Sequence, residues 1–323
     1  MSKPANRQPP SALFAWAQLV RLPNVFTVLA DVGAAFLLVS GGPTPIGRLA
    51  CVAVAGVFLY WAGMILNDVF DVDIDRQKRS TRPLASGLIS IGAAKTAGWL
   101  LLIVGVLVGG ASGYIPSANY ESTWLPMVIA SLLGVTIVAY NGPLKKTPIA
   151  PVAMGGCRVL SFLLGASPLL GTADGFTIPK YVLGIGVGMG VYVMGLTQFG
   201  RREAEGGPSL NLPTGTLVTL FGAVLLAVAP QLQRAPIGWH LADLRFTFPM
   251  LIGLIAFPVV VRAFRAVRDP TPAKIQVTMQ IGILTIIPLS AAFAFLGAGQ
   301  VWGLAIFGLV VPALLLAKAF RVT

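Results

Sequence analysis

Residues 67–76 read Asn67-Asp68-Val69-Phe70-Asp71-Val72-Asp73-Ile74-Asp75-Arg76, at the end of an apolar stretch that begins near residue 46. The chain holds 11 Asp and Glu, and four of them fall between Asp68 and Asp75, so its acidity is concentrated in one place. If a helix continues through the motif, a turn of about 100° per residue puts Asn67, Asp71 and Asp75 in one row, with Asp68 beside it and Asp73 pointing elsewhere. Carboxylates this close repel one another unless a cation sits among them, and hard oxygen ligands suit Mg²⁺ shared with a substrate phosphate. The alternative is a solvated loop neutralised by Arg76, Lys78, Arg79 and Arg82. The helical spacing of the acids argues against it.

Outward from the motif, the chain is too apolar to be a soluble globular protein. Of its 323 residues 56% are hydrophobic and 11% charged, where soluble domains run to roughly a quarter charged. Ten apolar stretches come near the ~20 residues that cross a bilayer: 12–38, 46–67, 92–111, 124–141, 150–170, 180–198, 212–230, 246–264, 276–297 and 300–318. Basic residues accumulate on the cytoplasmic side. With the N-terminus inside, only Arg48, Lys180, Arg234 and Arg245 of the 23 Lys and Arg fall outside. This predicts a multi-pass protein of the cell inner membrane with the acidic motif facing the cytoplasm. The net charge of +12 is then topological, with some attraction to anionic membrane lipids and no call for nucleic acid. Met1 to Pro10 read as a short disordered cytoplasmic tail ahead of one membrane domain over 11–323. Cys51 and Cys157 lie within predicted spans and form neither a ligand pattern nor a disulfide pattern.

Polar residues in the spans mark further candidates, since a polar group in hydrocarbon normally faces a cavity or a partner. Asn24, after Arg21-Leu22-Pro23, is a candidate for the site wall, with a helix–helix hydrogen bond as the alternative for it and for Asp31. Pro83 and Gly87 in Thr81-Arg82-Pro83-Leu84-Ala85-Ser86-Gly87 break the helix, so this loop can fold back and bring Arg82 to a phosphate. Lys145 and Lys146 are either interfacial anchors or clamps on a diphosphate. Arg158, two turns inside its span beside Gly155-Gly156, must pair with a phosphate or an acid of the motif, or else snorkel. A second polar mouth follows at Gln198-Phe199-Gly200-Arg201-Arg202-Glu203-Ala204-Glu205.

Asn67-Asp68-x-x-Asp71-x-x-x-Asp75, followed by Arg82-Pro83-Leu84-Ala85-Ser86-Gly87, resembles the first signature of the UbiA-type intramembrane aromatic prenyltransferases. Tyr140-Asn141-Gly142-Pro143-Leu144-Lys145-Lys146 resembles that family's Tyr-x-x-Pro-Leu-basic element, and Arg21-x-x-Asn24 fits as well. The resemblance implies an all-α bundle of transmembrane helices around a central cavity that opens to the cytoplasm. It implies Mg²⁺-dependent transfer of an isoprenyl group from a prenyl diphosphate to an acceptor, often a quinone-precursor ring. It puts Asn67, Asp68, Asp71 and Asp75 on metal and diphosphate, Lys145 or Lys146 on the phosphates, and Tyr140 in the substrate wall. Two departures stand out. The family's second signature is aspartate-rich, whereas here only Glu203 and Glu205 stand beside Arg201 and Arg202. Either the glutamates hold a second metal or the arginines clamp the diphosphate in its place. Nine spans are usual in the family, and ten are counted here. A non-catalytic isoprenoid-lipid binding or transport protein on the same fold is the alternative function.

Overall fold

The computed structural model describes residues 11–202, 207–232, 238–241 and 243–320. The tail Met1 to Pro10 lies outside them, as do Glu203 and Glu205 and the side chain of Arg202. Fourteen α-helices follow in order: α1 Ala12–Leu19, α2 Val25–Ser40, α3 Ile46–Phe70, α4 Val72–Lys78, α5 Ile91–Ala111, α6 Leu125–Ala139, α7 Ala150–Ala166, α8 Lys180–Phe199, α9 Asn211–Val228, α10 Thr247–Arg268, α11 Pro272–Leu284, α12 Ile286–Ala298, α13 Gln300–Gly308 and α14 Val310–Phe320. The one sheet among the described residues is a two-stranded ribbon, Gly171–Thr172 with Gly175–Phe176. Several helices join end to end, so that ten continuous segments of 19 to 27 residues are long and apolar enough to cross a membrane. The protein is an integral, multi-pass membrane protein.

The ten spans match the sequence expectation in number but not everywhere in outline. The expected first span, 12–38, is broken. Arg21 takes the left-handed conformation at φ 48°, and Leu22–Asn24 form a 3-10 turn around Pro23. Proline removes a backbone donor and its ring disfavours helix just before it, so the span proper is Leu22–Ser40. Freed from it, α1 lies against the α3–α4 junction and buries Ala15 and Leu19 with Ile65, Val72 and Leu84. The last two spans are joined by Gly299 alone, at φ 85°.

Helices without a hydrophobic drive toward one another associate through small residues that let backbones approach. A Cβ built on Gly165 of α7 would stand 2.2 Å from the Val32 carbonyl oxygen of α2. This contact sets α2 against α7, and with it Asp31 against Arg158. At the opposite end from the acidic motif, fully buried Arg48 donates to the carbonyls of Ile115 (2.8 Å), Tyr120 (3.1 Å), Glu121 (3.1 Å) and Pro168. One guanidinium thus gathers two loops whose backbone acceptors have no regular partner. Arg48→Met would strand those acceptors, each worth about 1–3 kcal/mol when buried and unmet. We expect a loss of roughly 3–5 kcal/mol, read as a lower thermal midpoint in detergent with the acidic end unchanged.

Candidate active site

The acidic motif sits where α3 hands over to α4. Asp71 interrupts the helix at φ −95°, ψ 0°, yet its N–H donates to the Asn67 carbonyl (3.1 Å) and its own carbonyl accepts from Asp75 (2.9 Å). The four-residue ladder therefore survives the break and stacks Asn67, Asp71 and Asp75 as their spacing predicts. Asp73 points away: its side chain is 85% exposed and, among the described residues, paired only with Arg76 on the surface. Asp68 and Asp75 are buried.

Three cations meet these carboxylates. Arg82 reaches Asp75 at 2.7 Å and Asp68 at 3.4 Å. Its loop folds back as expected, because Leu84 is buried against Ile65 and Val72. Arg21 lies 3.6 Å from Asp68, carried there by the break before Pro23. Lys145 donates to the Asn67 amide oxygen at 2.6 Å and to Asp71. A wide π-helical turn, Tyr140–Leu144, with Pro143 inside it, delivers this lysine. Such turns accommodate a residue whose N–H is missing and recur at functional sites.

Behind the cluster lies a cavity of about 140 Å³. Its walls are mostly apolar, with Gly56, Leu59, Met64, Leu133 and Ile137 among them, and its polar atoms come from Tyr60, Tyr140, Asn141, Arg158 and Ser161. Along α3 its wall runs from Met64, one turn before Asp68, to Gly56, about 12 Å at 1.5 Å per residue.

Several expectations need correction. Arg158 neither joins the acidic motif nor snorkels; it pairs with Asp31 at 3.1 Å, because α2 and α7 pack closely enough to put the two at one depth. Asn24 does not line the cavity, and it is its backbone carbonyl that accepts a bond, from the Thr27 hydroxyl (2.8 Å). The two lysines separate: Lys146 is exposed and has no ion pair among the described residues. Arg201, the expected diphosphate clamp, is exposed and donates to the Thr147 carbonyl (2.8 Å), so it ties the second mouth to the loop after Lys145. Glu203, Glu205 and the Arg202 side chain fall outside the described residues. Arg21, Tyr60, Asn141 and Ser161 were missed as site residues. Only Arg21 carried a local signal, the proline two residues on that breaks the helix.

The donor set suits Mg²⁺ in kind. Each of Asp68, Asp71 and Asp75 has one oxygen engaged by a cation and the other without a hydrogen bond among the described residues. No group of three acidic, histidine or cysteine residues gathers on one point among the described residues. Asp68, Asp71 and Asp75 would hold the ion through these free oxygens, and Mg²⁺ ordinarily shares its coordination with phosphate and water.

Comparison with known proteins agrees with this architecture. The chain is 32% identical over 134 residues to digeranylgeranylglyceryl phosphate synthase of Methanobrevibacter smithii. It is 28% identical over 297 residues to the protein of that name from Ignicoccus hospitalis, covering 85% of this chain and 91% of that one. The first alignments are shorter: the chain spans 44%, 51% and 45% of the first three curated relatives it matches. Among solved structures, a UbiA homologue from Aeropyrum pernix superposes with a TM-score of 0.60 at 19% identity, over 84% of this chain and 97% of that one. A UbiA homologue from Archaeoglobus fulgidus bound to DMAPP and Mg²⁺ gives 0.56 at 14% identity, over 91% and 99%. At such identities the likeness is one of fold. The UbiA prenyltransferase family model matches residues 25–283, a range that takes in the acidic motif, Arg82, Lys145 and the cavity between them. The chain belongs to the UbiA prenyltransferase family.

Proposed function

We propose that the chain transfers an isoprenyl group from a prenyl diphosphate to an acceptor within the membrane, at Asn67, Asp68, Asp71 and Asp75. One observation carries this: a stacked set of carboxylates, met by Arg21, Arg82 and Lys145, one helical turn from an apolar cavity whose wall includes Met64, Tyr140 and Asn141. Ionisation of an allylic carbon–oxygen bond puts charge on the departing diphosphate, and fixed cations lower the barrier where that charge develops. Mg²⁺ bound at the aspartates would neutralise the diphosphate and polarise its oxygens. Arg82 and Lys145 orient the phosphates, and the apolar wall holds the isoprenyl chain and keeps water from the carbocation. Tyr140 lines this wall. At the second mouth, Glu203 and Glu205 are assigned to a second metal, or Arg201 and Arg202 to clamping the diphosphate in its place. The relatives named digeranylgeranylglyceryl phosphate synthase and the family membership support the reading. The motif end is assigned to the cytoplasm by the distribution of Lys and Arg.

The test is diphosphate release by purified protein in lipid from a panel of prenyl diphosphates, with aromatic and lipid-alcohol acceptors. Release is expected with Mg²⁺ and is expected to vanish on chelation. A second reading, isoprenoid binding or transport without catalysis, draws on the neutralisation of each carboxylate by a cation and the absence of a three-ligand cluster among the described residues. Prenyl diphosphate binding without release across the whole panel would favour it.

A further inference from the structure

A second polar cluster lies deeper in the cavity, apart from the aspartates. Asp31 is fully buried on α2, and Arg158 of α7 reaches it at 3.1 Å. The same guanidinium donates to the Thr27 carbonyl (3.4 Å) and the Thr27 hydroxyl (3.4 Å). Arginine carries five N–H donors, so two of them have no partner among the described residues. Three residues on along the same helical face, Ser161 is 8% exposed, lines the cavity and lies beside Asp31; its hydroxyl and the second Asp31 carboxylate oxygen are both buried with no well-aligned hydrogen bond among the described residues. Tyr60 and Tyr140 line the same cavity. An unpartnered buried hydroxyl is costly unless something bonds to it at some stage of the working cycle.

The charge balance says what that something is. Arg158 is already compensated by Asp31, so a carboxylate or phosphate arriving here would be a third, uncompensated charge in a low-dielectric wall. An uncharged oxygen faces no such cost. It can accept from the spare guanidinium N–H groups and bond to Ser161. We propose that Arg158, held in place by Asp31, together with Ser161, recognises the prenyl acceptor, and that the acceptor presents to them an uncharged hydroxyl or carbonyl, not an anion. This rests on the prenyl-transfer reading only for the word acceptor. Asp31 is a positioning residue, whereas Arg158 and Ser161 touch the ligand.

Cys157 gives a reporter that needs no turnover, because it lines the same cavity beside Arg158. The chain has two cysteines, so a Cys51→Ala background leaves one thiol to alkylate with N-ethylmaleimide in nanodiscs. The half-protecting concentrations of 1-naphthol and 1-naphthoate are compared at neutral pH, where the first is neutral and the second ionised. Naphthol is expected to protect at roughly tenfold lower concentration or better. Asp31→Asn, which leaves Arg158 uncompensated, is expected to reverse the preference. Partitioning into lipid is common to both variants, so the change in ratio decides. Binding of a non-cleavable geranyl thiolodiphosphate on the same preparations reports that the variant is folded. Should Asp31→Asn fail that control, Ser161→Ala serves, with an expected weakening of naphthol protection by about tenfold. A wild-type preference for naphthoate, an unchanged ratio in Asp31→Asn, or unchanged naphthol protection in Ser161→Ala would overturn the assignment. Failure of diphosphate release would count against prenyl transfer and leave this result standing.

Discussion

Asp71→Ala is expected to lower Mg²⁺-dependent diphosphate release about 10³-fold while the protein remains folded. Asp71 sits at the joint of α3 and α4, its carboxylate half-buried and held by Lys145. Both neighbouring helix bonds run through its backbone, not its side chain, so alanine keeps the geometry and removes only the oxygens. Two consequences follow at once. The site loses one oxygen donor from its stack, and Lys145 keeps only the Asn67 amide oxygen as partner. Asp73→Ala is the internal control: its side chain is 85% exposed and pairs only with Arg76 among the described residues, and surface pairs of this kind are worth at most about 1 kcal/mol. Its turnover should stay within about twofold of wild type. Equal effects at Asp71 and Asp73 would mean that the stack is not the working face of the motif.

The two lysines give the second large effect. Lys145→Met is expected to reduce release about 10²-fold or more, the cost of losing one charge-stabilising donor, whereas Lys146→Met should stay within about threefold. The residues are adjacent in sequence, share a charge and lie at the same end of a span, so a general anchoring role would make them equivalent. The π-helical turn makes them unequal: it aims Lys145 at Asn67 and Asp71 and leaves Lys146 exposed. Measuring kcat and KM separately sharpens the comparison, since a donor that acts on charge developing in the transition state lowers kcat more than it raises KM. If Lys146→Met proved as damaging as Lys145→Met, the turn would have to open in the working enzyme.

What the chain alone determined is what depends on local spacing and composition. Ten apolar runs of bilayer length predict ten spans, and the described residues hold ten helical segments long and apolar enough to cross a membrane. The period of 3.6 residues stacks Asn67, Asp71 and Asp75 and turns Asp73 away, because a helix places side chains by sequence distance alone. Pro83 and Gly87 signalled a loop that folds back, and it brings Arg82 to Asp68 and Asp75. The tertiary structure decided everything that depends on distances between helices. Neither Lys145 nor Lys146 is marked by its neighbours as the one that meets Asp71. Arg21 reaches Asp68 only because the first span breaks before Pro23. Arg158 finds Asp31, and not the acidic motif, because Gly165 lets α7 lie directly on the Val32 backbone of α2. Buried charges must take partners, and in a bundle the partner is whichever opposite charge the helix packing brings to the same depth, a choice that no single helix's sequence contains.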